Sequence, residues 1–433
     1  MTKNQYLSAQ EAADELDISL ATLYSYVSRG LVRSEAVGGA EGGQKRTRRY
    51  RMEDVQRLKE RKEQQRDPDI VAERALYLGA PIMDSAITLI TDDHFYYRGY
   101  DVTQLARTCS LEQVATLIWM GTLPAPDEPF FGPRQLSPRY QVMLRQLSNL
   151  SPLEAFQVLL PLVAIDDIAA YDLRPSAVAQ MGAHILRMLA AIAVREQPTR
   201  LSIAQMLQRG WAPADPRAAE LINTALILAA DHELNVATFA ARCVASAAAT
   251  PYDVVIAGLA AFQGRQYAGY AGRIEAFVRE AATPEGVRPA IIDRMKRGEV
   301  APVYGGRPDS ERKGELIPGF GSFLYPSVDP RAEALLQLLV TLYPDTPAIE
   351  LAKVAVEEVY AVLGEHPNID FALVMLSHVL QLPRGASIAL FALGRMVGWI
   401  GHAIEQYQTN QVIRPRARYI GDSPVESPAQ AQG

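Results

Sequence analysis

DHELNVATFAARCVASAAATPYDVVIAGLAAFQG, residues 231 to 264, decides the fold class. Apolar residues return at helical spacing over 234–249 and again over 251–263, with Thr250-Pro251 as the break between the two runs. The same period recurs over 111–121, 151–166, 176–195, 216–231, 331–343, 347–363, 369–381 and 385–407, and alternating strand patterns are almost absent. From about residue 70 onward the chain reads as all-α. Pro/Gly-rich breaks fall at 124–138 and 298–326, the second separating helices without ending the domain. The terminal SPVESPAQAQG has the composition of a disordered tail.

A chain of 433 residues with 48% hydrophobic and 21% charged residues is ordinary globular composition, long enough for one large domain and a small one. No uncharged apolar stretch reaches the roughly 18–20 residues of a membrane span, and the polar start MTKNQYLSAQ lacks a secretory core, so the expected location is cytoplasmic. The only cysteines, Cys109 and Cys243, sit in helical segments without a CxxC or Cys/His cluster, which argues against a disulfide framework and against a metal site. Both read as core or boundary residues. The net charge of -6 is uneven: residues 1–66 hold 13 Lys/Arg against 10 Asp/Glu, leaving the remainder acidic. A basic head on an acidic body points to an arm that meets phosphates.

In that head, Ser8-Ala-Gln-Glu11 is a capping box that opens a helix running to about Leu16. Asp17-Ile18 turns the chain, Ser19 caps LATLYSYVSR, and Gly30 ends that second helix. The loop 38–43 leads into QKRTRRYR and a third helix from Glu53, and Asp67-Pro68 marks a linker. The fragment YLSAQEAADELDISLATLYSYVSRGLV with RRYRMEDVQRLK resembles the MerR and excisionase type of winged helix-turn-helix, which gives residues 1–66 as one domain. The resemblance implies a DNA-reading second helix with Thr22 and Tyr24 in the groove and a wing with Arg46, Arg48 and Arg49 on phosphates. The alternative is a small docking module that has kept the fold and lost DNA. Specific binding requires a dimer with two readers roughly 34 Å apart.

The body, residues 70–433, resembles the citrate synthase family in ordered blocks: YLGAPIMDSAITLITDDHFYYRGYDVTQLA, the 231–264 stretch, IPGFG with YPSVDPRAEA, NIDFALVMLSHVLQLP, FALGRMVGWIGHAIEQ and IRPRARYIG. The resemblance implies a large helical domain and a small helical subdomain at about 270–381. It assigns Arg331, Arg395 and Arg414 to the carboxylates of an oxaloacetate-like dicarboxylate, with Arg414 crossing from the partner of a homodimer. His232 matches a histidine that binds the same ligand, and Asp370 the base that takes a proton from the acyl group of acyl-CoA. No tightly bound cofactor is implied.

Two histidines of the family pattern are replaced, the first by Tyr267 in GRQYAGY and the second by Ser322 in GFGSFLY, and no histidine lies between His232 and His366. Loss of one oxyanion donor costs about 3–4 kcal/mol in barrier height. A tyrosine hydroxyl can serve instead, and a serine can reach through a water. Ala268 in place of the loop glycine, with Tyr270 and Arg265, changes the wall expected along the acyl-CoA. His366 reads as a surface residue or as one standing behind the site, and His94, His184, His378 and His402 as ordinary polar residues. Three functions stay open: an acyltransferase condensing acyl-CoA with a 2-oxo acid, a catalytically dead ligand-sensing DNA-binding regulator, and a noncatalytic subunit of a mixed oligomer.

Overall fold

Hydroxyl side chains start many of the helices. Ser8, Ser110, Ser151, Ser202 and Thr250 each accept the N–H three residues on, while Glu11, Gln113, Glu154, Gln205 and Asp253 reach back to the cap N–H. The structure is a computed structural model describing residues 6–16, 18–28, 32–37, 47–52, 54–55, 82–91, 94–125, 132, 134–264, 268–297, 317–322, 324–325 and 327–421. Its contacts divide the chain into two units, Met1–Asp84 and Ser85–Gly433.

In the first unit, β1 (Tyr6–Leu7), α1 (Ala9–Glu15), α2 (Leu20–Ser28), β2 (Ser34–Val37) and β3 (Thr47–Arg51) form two helices against an antiparallel sheet of order β1-β3-β2. Ala12, Ala13, Leu16, Leu23, Val32, Tyr50 and Val55 make its core. Ser19 caps α2 as expected, accepting the Thr22 N–H at 3.2 Å. On α2, Leu23 is buried, Thr22 half-buried and Tyr24 exposed; Arg48 and Arg49 of β3 are exposed. Arg46, Gly30, Asp67-Pro68 and the third helix beyond Val55 lie outside the described residues.

The second unit opens on an antiparallel sheet, β4 (Thr88–Ile90), β5 (Phe95–Tyr97) and β6 (Tyr100–Asp101). Helices follow: α3 (Val102–Thr108), α4 (Leu111–Met120), α5 (Pro138–Gln146), α6 (Pro152–Ile165), α7 (Pro175–Val194), α8 (Ile203–Trp211), α9 (Ala218–Leu228), α10 (Val236–Ser246), α11 (Pro251–Phe262), α12 (Ala268–Ala281), α13 (Val287–Lys296), α14 (Pro330–Leu342), α15 (Pro347–Leu363), α16 (Ile369–Val379) and α17 (Ala386–Thr409). The larger core surrounds α17, whose Trp399 and Leu390 are fully buried. A second core gathers Ile274 and Phe277 of α12, Ile291 of α13, Val359 of α15, Phe371 and Met375 of α16, and Phe320 of the preceding loop. Leu335 and Leu339 of α14 belong to the larger core, although α14 lies inside the span expected for the small subdomain.

Helices α7 and α17 are long enough to cross a bilayer and have mean hydropathies of 1.6 and 1.4, but 78% and 94% of those windows are buried inside the fold. No uncharged run in either helix reaches the length of a span, because Arg187 interrupts the first and Arg395 and Glu405 the second, and burial in the core accounts for their apolar character. Cys109 and Cys243 are half-buried free thiols.

Candidate active site

The segment after α9 is held from several sides and presents His232. Arg395 of α17 donates Nε–H to the Ala229 carbonyl at 2.9 Å, and the Gly398 N–H reaches the Ala230 carbonyl at 2.9 Å. A side chain at 398 would put its Cβ 2.3 Å from Asp231 Oδ1, so only glycine permits this approach. Tyr97 accepts the Asp231 N–H at 3.0 Å, and Thr88 donates to the Asp231 carboxylate at 2.5 Å. Asp231 is fully buried with His402, whose Nε2 lies 3.3 Å from Oδ1. His402 is therefore no ordinary polar residue: it stands behind the backbone that carries His232, a contact spanning 171 residues of sequence.

His232 Nε2 lies 2.8 Å from the hydroxyl of Tyr325. Burial, reinforced by Arg331 and Arg395, holds the imidazole well below its usual range, so it is neutral. Burial likewise pushes the Tyr325 phenol up, keeping its proton on oxygen.

Asp329 caps α14 and organises the next layer. It accepts the Arg331 N–H at 3.0 Å, Nε–H at 2.9 Å and Nη2–H at 2.8 Å, and also the Ile369 N–H at 3.2 Å. This bidentate pair fixes the guanidinium and joins α14 to the start of α16. Asn368 caps α16, accepting the N–H groups of Asp370 at 3.1 Å and Phe371 at 3.3 Å. Asp370 keeps some accessible surface, yet protein encloses it at longer range. Desolvation pushes its carboxyl up to about 6; Arg331 opposes this, Asp329 adds to it, and Arg395 opposes it more weakly.

The loop at 317–321 lies against the start of α16: Asn368 donates to the Gly319 carbonyl at 2.9 Å and Gly321 to the His366 carbonyl at 2.8 Å. Gly319 has φ of 94° with Phe371 Cβ 2.9 Å from where its own Cβ would stand, so both conformation and space require glycine. Tyr270 of α12 turns into the second core, and its hydroxyl accepts the Gly319 N–H at 2.8 Å. His366 is half-buried and meets the Tyr360 ring at a tilt of 36°, 4.8 Å between centroids.

The structure thus brings His232, Arg331, Arg395 and Asp370 into one electrostatic neighbourhood, since both guanidinium groups act on His232 and Asp370. Ser322 is exposed, and its Oγ accepts the N–H groups of Leu324 and Tyr325 at 3.3 Å, closing the turn that delivers Tyr325. Arg414 is exposed on an extended segment tethered by the Ile413 N–H to Ser246 Oγ at 3.1 Å. Tyr267 lies outside the described residues. Among the described residues no group of His, Cys, Asp and Glu is arranged to hold a metal ion. The roles of Tyr325, Asp329 and His402 were missed in sequence, although Tyr325 and Asp329 stand inside the block YPSVDPRAEA; Tyr270, expected along the acyl-CoA wall, turns into the second core instead.

Chemically, two guanidinium groups, a neutral imidazole and a phenol suit a small anion with several oxygen acceptors. A carboxyl poised near pH 6 suits proton abstraction at neutral pH.

Comparison with known proteins gives the family context. Residues 76–416 match the family described as citrate synthase, C-terminal domain, and residues 6–63 match a helix-turn-helix domain. The chain is 27% identical over 378 residues to citrate synthase 2 of Bacillus subtilis, covering 79% of this chain and 94% of that one. It is 28% identical over 356 residues to 2-methylcitrate synthase of Mycobacterium tuberculosis, covering 75% and 84%. Its fold matches that of Thermoplasma acidophilum citrate synthase in ternary complex with carboxymethyl coenzyme A and oxaloacetate, with a TM-score of 0.67 at 23% identity, covering 82% of this chain and 97% of that one.

Proposed function

Because this chain belongs to the citrate synthase family, we infer that its body binds an oxaloacetate-like 2-oxo dicarboxylate and an acyl-CoA and carries out an altered, weakened form of the family's condensation. The observation that carries this reading is Asp370, pushed up to about 6 beside Arg331, Arg395 and the neutral His232. Arg331 and Arg395 take the carboxylates, joined by Arg414 of the partner in a homodimer, and His232 with Tyr325 meets the ketone side. The segment of about 270–381 acts as the small subdomain.

Asp370 takes a proton from the carbon next to the thioester carbonyl. The resulting enolate attacks the ketone carbon, the ketone oxygen takes up a proton, and water cleaves the thioester to release CoA. Both oxygens that gather negative charge need donors. Tyr267 stands in sequence where the enolate donor belongs, and Ser322 where the ketone donor belongs. The exposure of Ser322 and its bonds to the turn favour Tyr325 as the ketone-side hydroxyl, with Ser322 reaching the ketone only through a water.

The helix-turn-helix match over 6–63 favours a second reading for the whole chain, a regulator whose ligand changes how paired heads meet DNA. Thr22 and Tyr24 then face the groove, and Arg46, Arg48 and Arg49 the phosphates. One experiment addresses both: oxaloacetate stabilisation measured alongside CoA release from acetyl-CoA and propionyl-CoA. Binding without CoA release at any substrate leaves the regulator or the noncatalytic subunit of a mixed oligomer; absence of oxaloacetate stabilisation defeats the common premise.

A further inference from the structure

Tyr270 is buried where three pieces of chain meet. It belongs to the first turn of α12, its ring packs in the second core at 3% exposure, and the Arg273 guanidinium lies over that ring, 5.0 Å from the centroid. Its hydroxyl accepts the Gly319 N–H at 2.8 Å and is bonded by the Asn368 side chain as well. Gly319 belongs to the loop before α14, and Asn368 is the cap of α16. One phenol oxygen therefore joins α12 to both.

From this joint the bonds lead on to Asp370 in short steps. The Gly319 carbonyl accepts the Asn368 N–H at 2.9 Å, the Gly321 carbonyl accepts from the Asn368 amide at 3.2 Å, and Asn368 Oδ1 accepts the Asp370 N–H at 3.1 Å. Phe320 of the loop meets Phe371, the residue after Asp370, at 4.7 Å between ring centroids. A core that needed only bulk here would be served by phenylalanine, since burying a hydroxyl costs free energy that its bonds must offset. What the oxygen contributes lies in the groups it holds.

The electrostatics agree with that placement. Burial raises the Tyr270 phenol, the Gly319 N–H opposes this and Asp370 adds to it, so the hydroxyl keeps its proton and stands within the field of the carboxylate. The charged groups that act on Asp370 in turn are Arg331, Asp329 and Arg395, and desolvation outweighs them.

We propose that Tyr270 is a positioning residue: by tying α12 to the 317–321 loop and to the cap of α16, its hydroxyl holds the Asp370 carboxylate enclosed and in a fixed place. This rests on the reading of Asp370 as the proton-abstracting group, and one of its tests needs no turnover. With the tie cut, water reaches the start of α16, and a carboxylate that regains hydration falls back toward its ordinary range. A reacting group misplaced by about 1 Å loses up to about 10² in rate.

Tyr270→Phe keeps the ring and removes only the oxygen, whereas Ile291→Ala on α13 removes bulk from the same core. The full chain is unfolded in urea at pH 4 and pH 8, with and without Asp370→Asn, in wild type and in both backgrounds. The expected result is that the pH-dependent part of the Asp370→Asn stability difference falls to less than half in Tyr270→Phe and keeps its full size in Ile291→Ala. In turnover, Tyr270→Phe lowers kcat about tenfold, moves the acid limb of the kcat profile to lower pH and leaves KM for oxaloacetate unchanged. A pH-dependent part of full size in Tyr270→Phe, the same reduction in Ile291→Ala, its absence in wild type, or an acid limb that stays in place in an active enzyme overturns the proposal. Wild type that releases no CoA while the stability pattern holds defeats the proposed function and leaves the placement of Asp370 by Tyr270 standing.

Discussion

Asp370→Asn separates the energetic cost of the enclosed carboxylate from its chemistry. Its carboxyl is raised from 3.8 to about 6. The native state therefore holds the proton more tightly than the unfolded chain, and stability present below the unfolded value is lost as pH rises through about 6. At about 1.36 kcal/mol per pKa unit, the full loss is about 3 kcal/mol on the alkaline side. Asparagine does not titrate, so the stability of Asp370→Asn relative to wild type is expected to rise by about 2.5 kcal/mol between pH 4 and pH 8. Comparing the two pH values cancels any constant packing difference. Urea unfolding followed by tryptophan fluorescence reports on the body alone, because Trp119, Trp211 and Trp399 all lie in it. CoA release should vanish in the variant. A stability difference that stays flat across this pH range, or falls, would refute the argument that desolvation dominates over Arg331.

Tyr325→Phe is expected to lower CoA release about 10²–10³-fold while Ser322→Ala changes it only a few-fold, measured as turnover with acetyl-CoA and oxaloacetate; the reverse order returns the ketone-side role to Ser322. Asp329→Ala strands Arg331 in the interior, and the urea midpoint should drop by the equivalent of about 3–5 kcal/mol, whereas an unchanged midpoint means that the pair is not coupled to the fold. If the N-terminal unit binds DNA, Arg48→Ala and Arg49→Ala should each reduce the slope of log affinity against log salt by about 1, and fluorescence anisotropy showing weaker binding with an unaltered slope would rule out phosphate contact.

Local signals in the chain were easy to read where one element carried all the information. Helical periodicity over 231–264 gives α10 and α11, and the Ser8/Glu11 spacing gives the cap of α1. The residues from ordered blocks, His232, Arg331, Arg395 and Asp370, are brought into one region. The partners that tune them were harder because they meet across long loops: Tyr325 finds His232 at a separation of 93 residues, and Tyr270 finds Gly319 at 49. His402 carries no local mark of burial, since its role depends on α17 passing behind Asp231. Ser322 stood out in the motif, but its exposure follows from the turn and not from the motif.

Asp329 is cap, counter-ion and inter-helix clasp in one carboxylate, and this sets the order in which the site could have diverged. A substitution there disturbs the start of α14, the set of Arg331 and the Ile369 amide together. A substitution at Ser322, by contrast, touches only the turn before Tyr325. The reacting edge of the pocket can therefore change by single steps that leave the charge lattice beneath it standing, giving new chemistry a route that never passes through a collapsed intermediate.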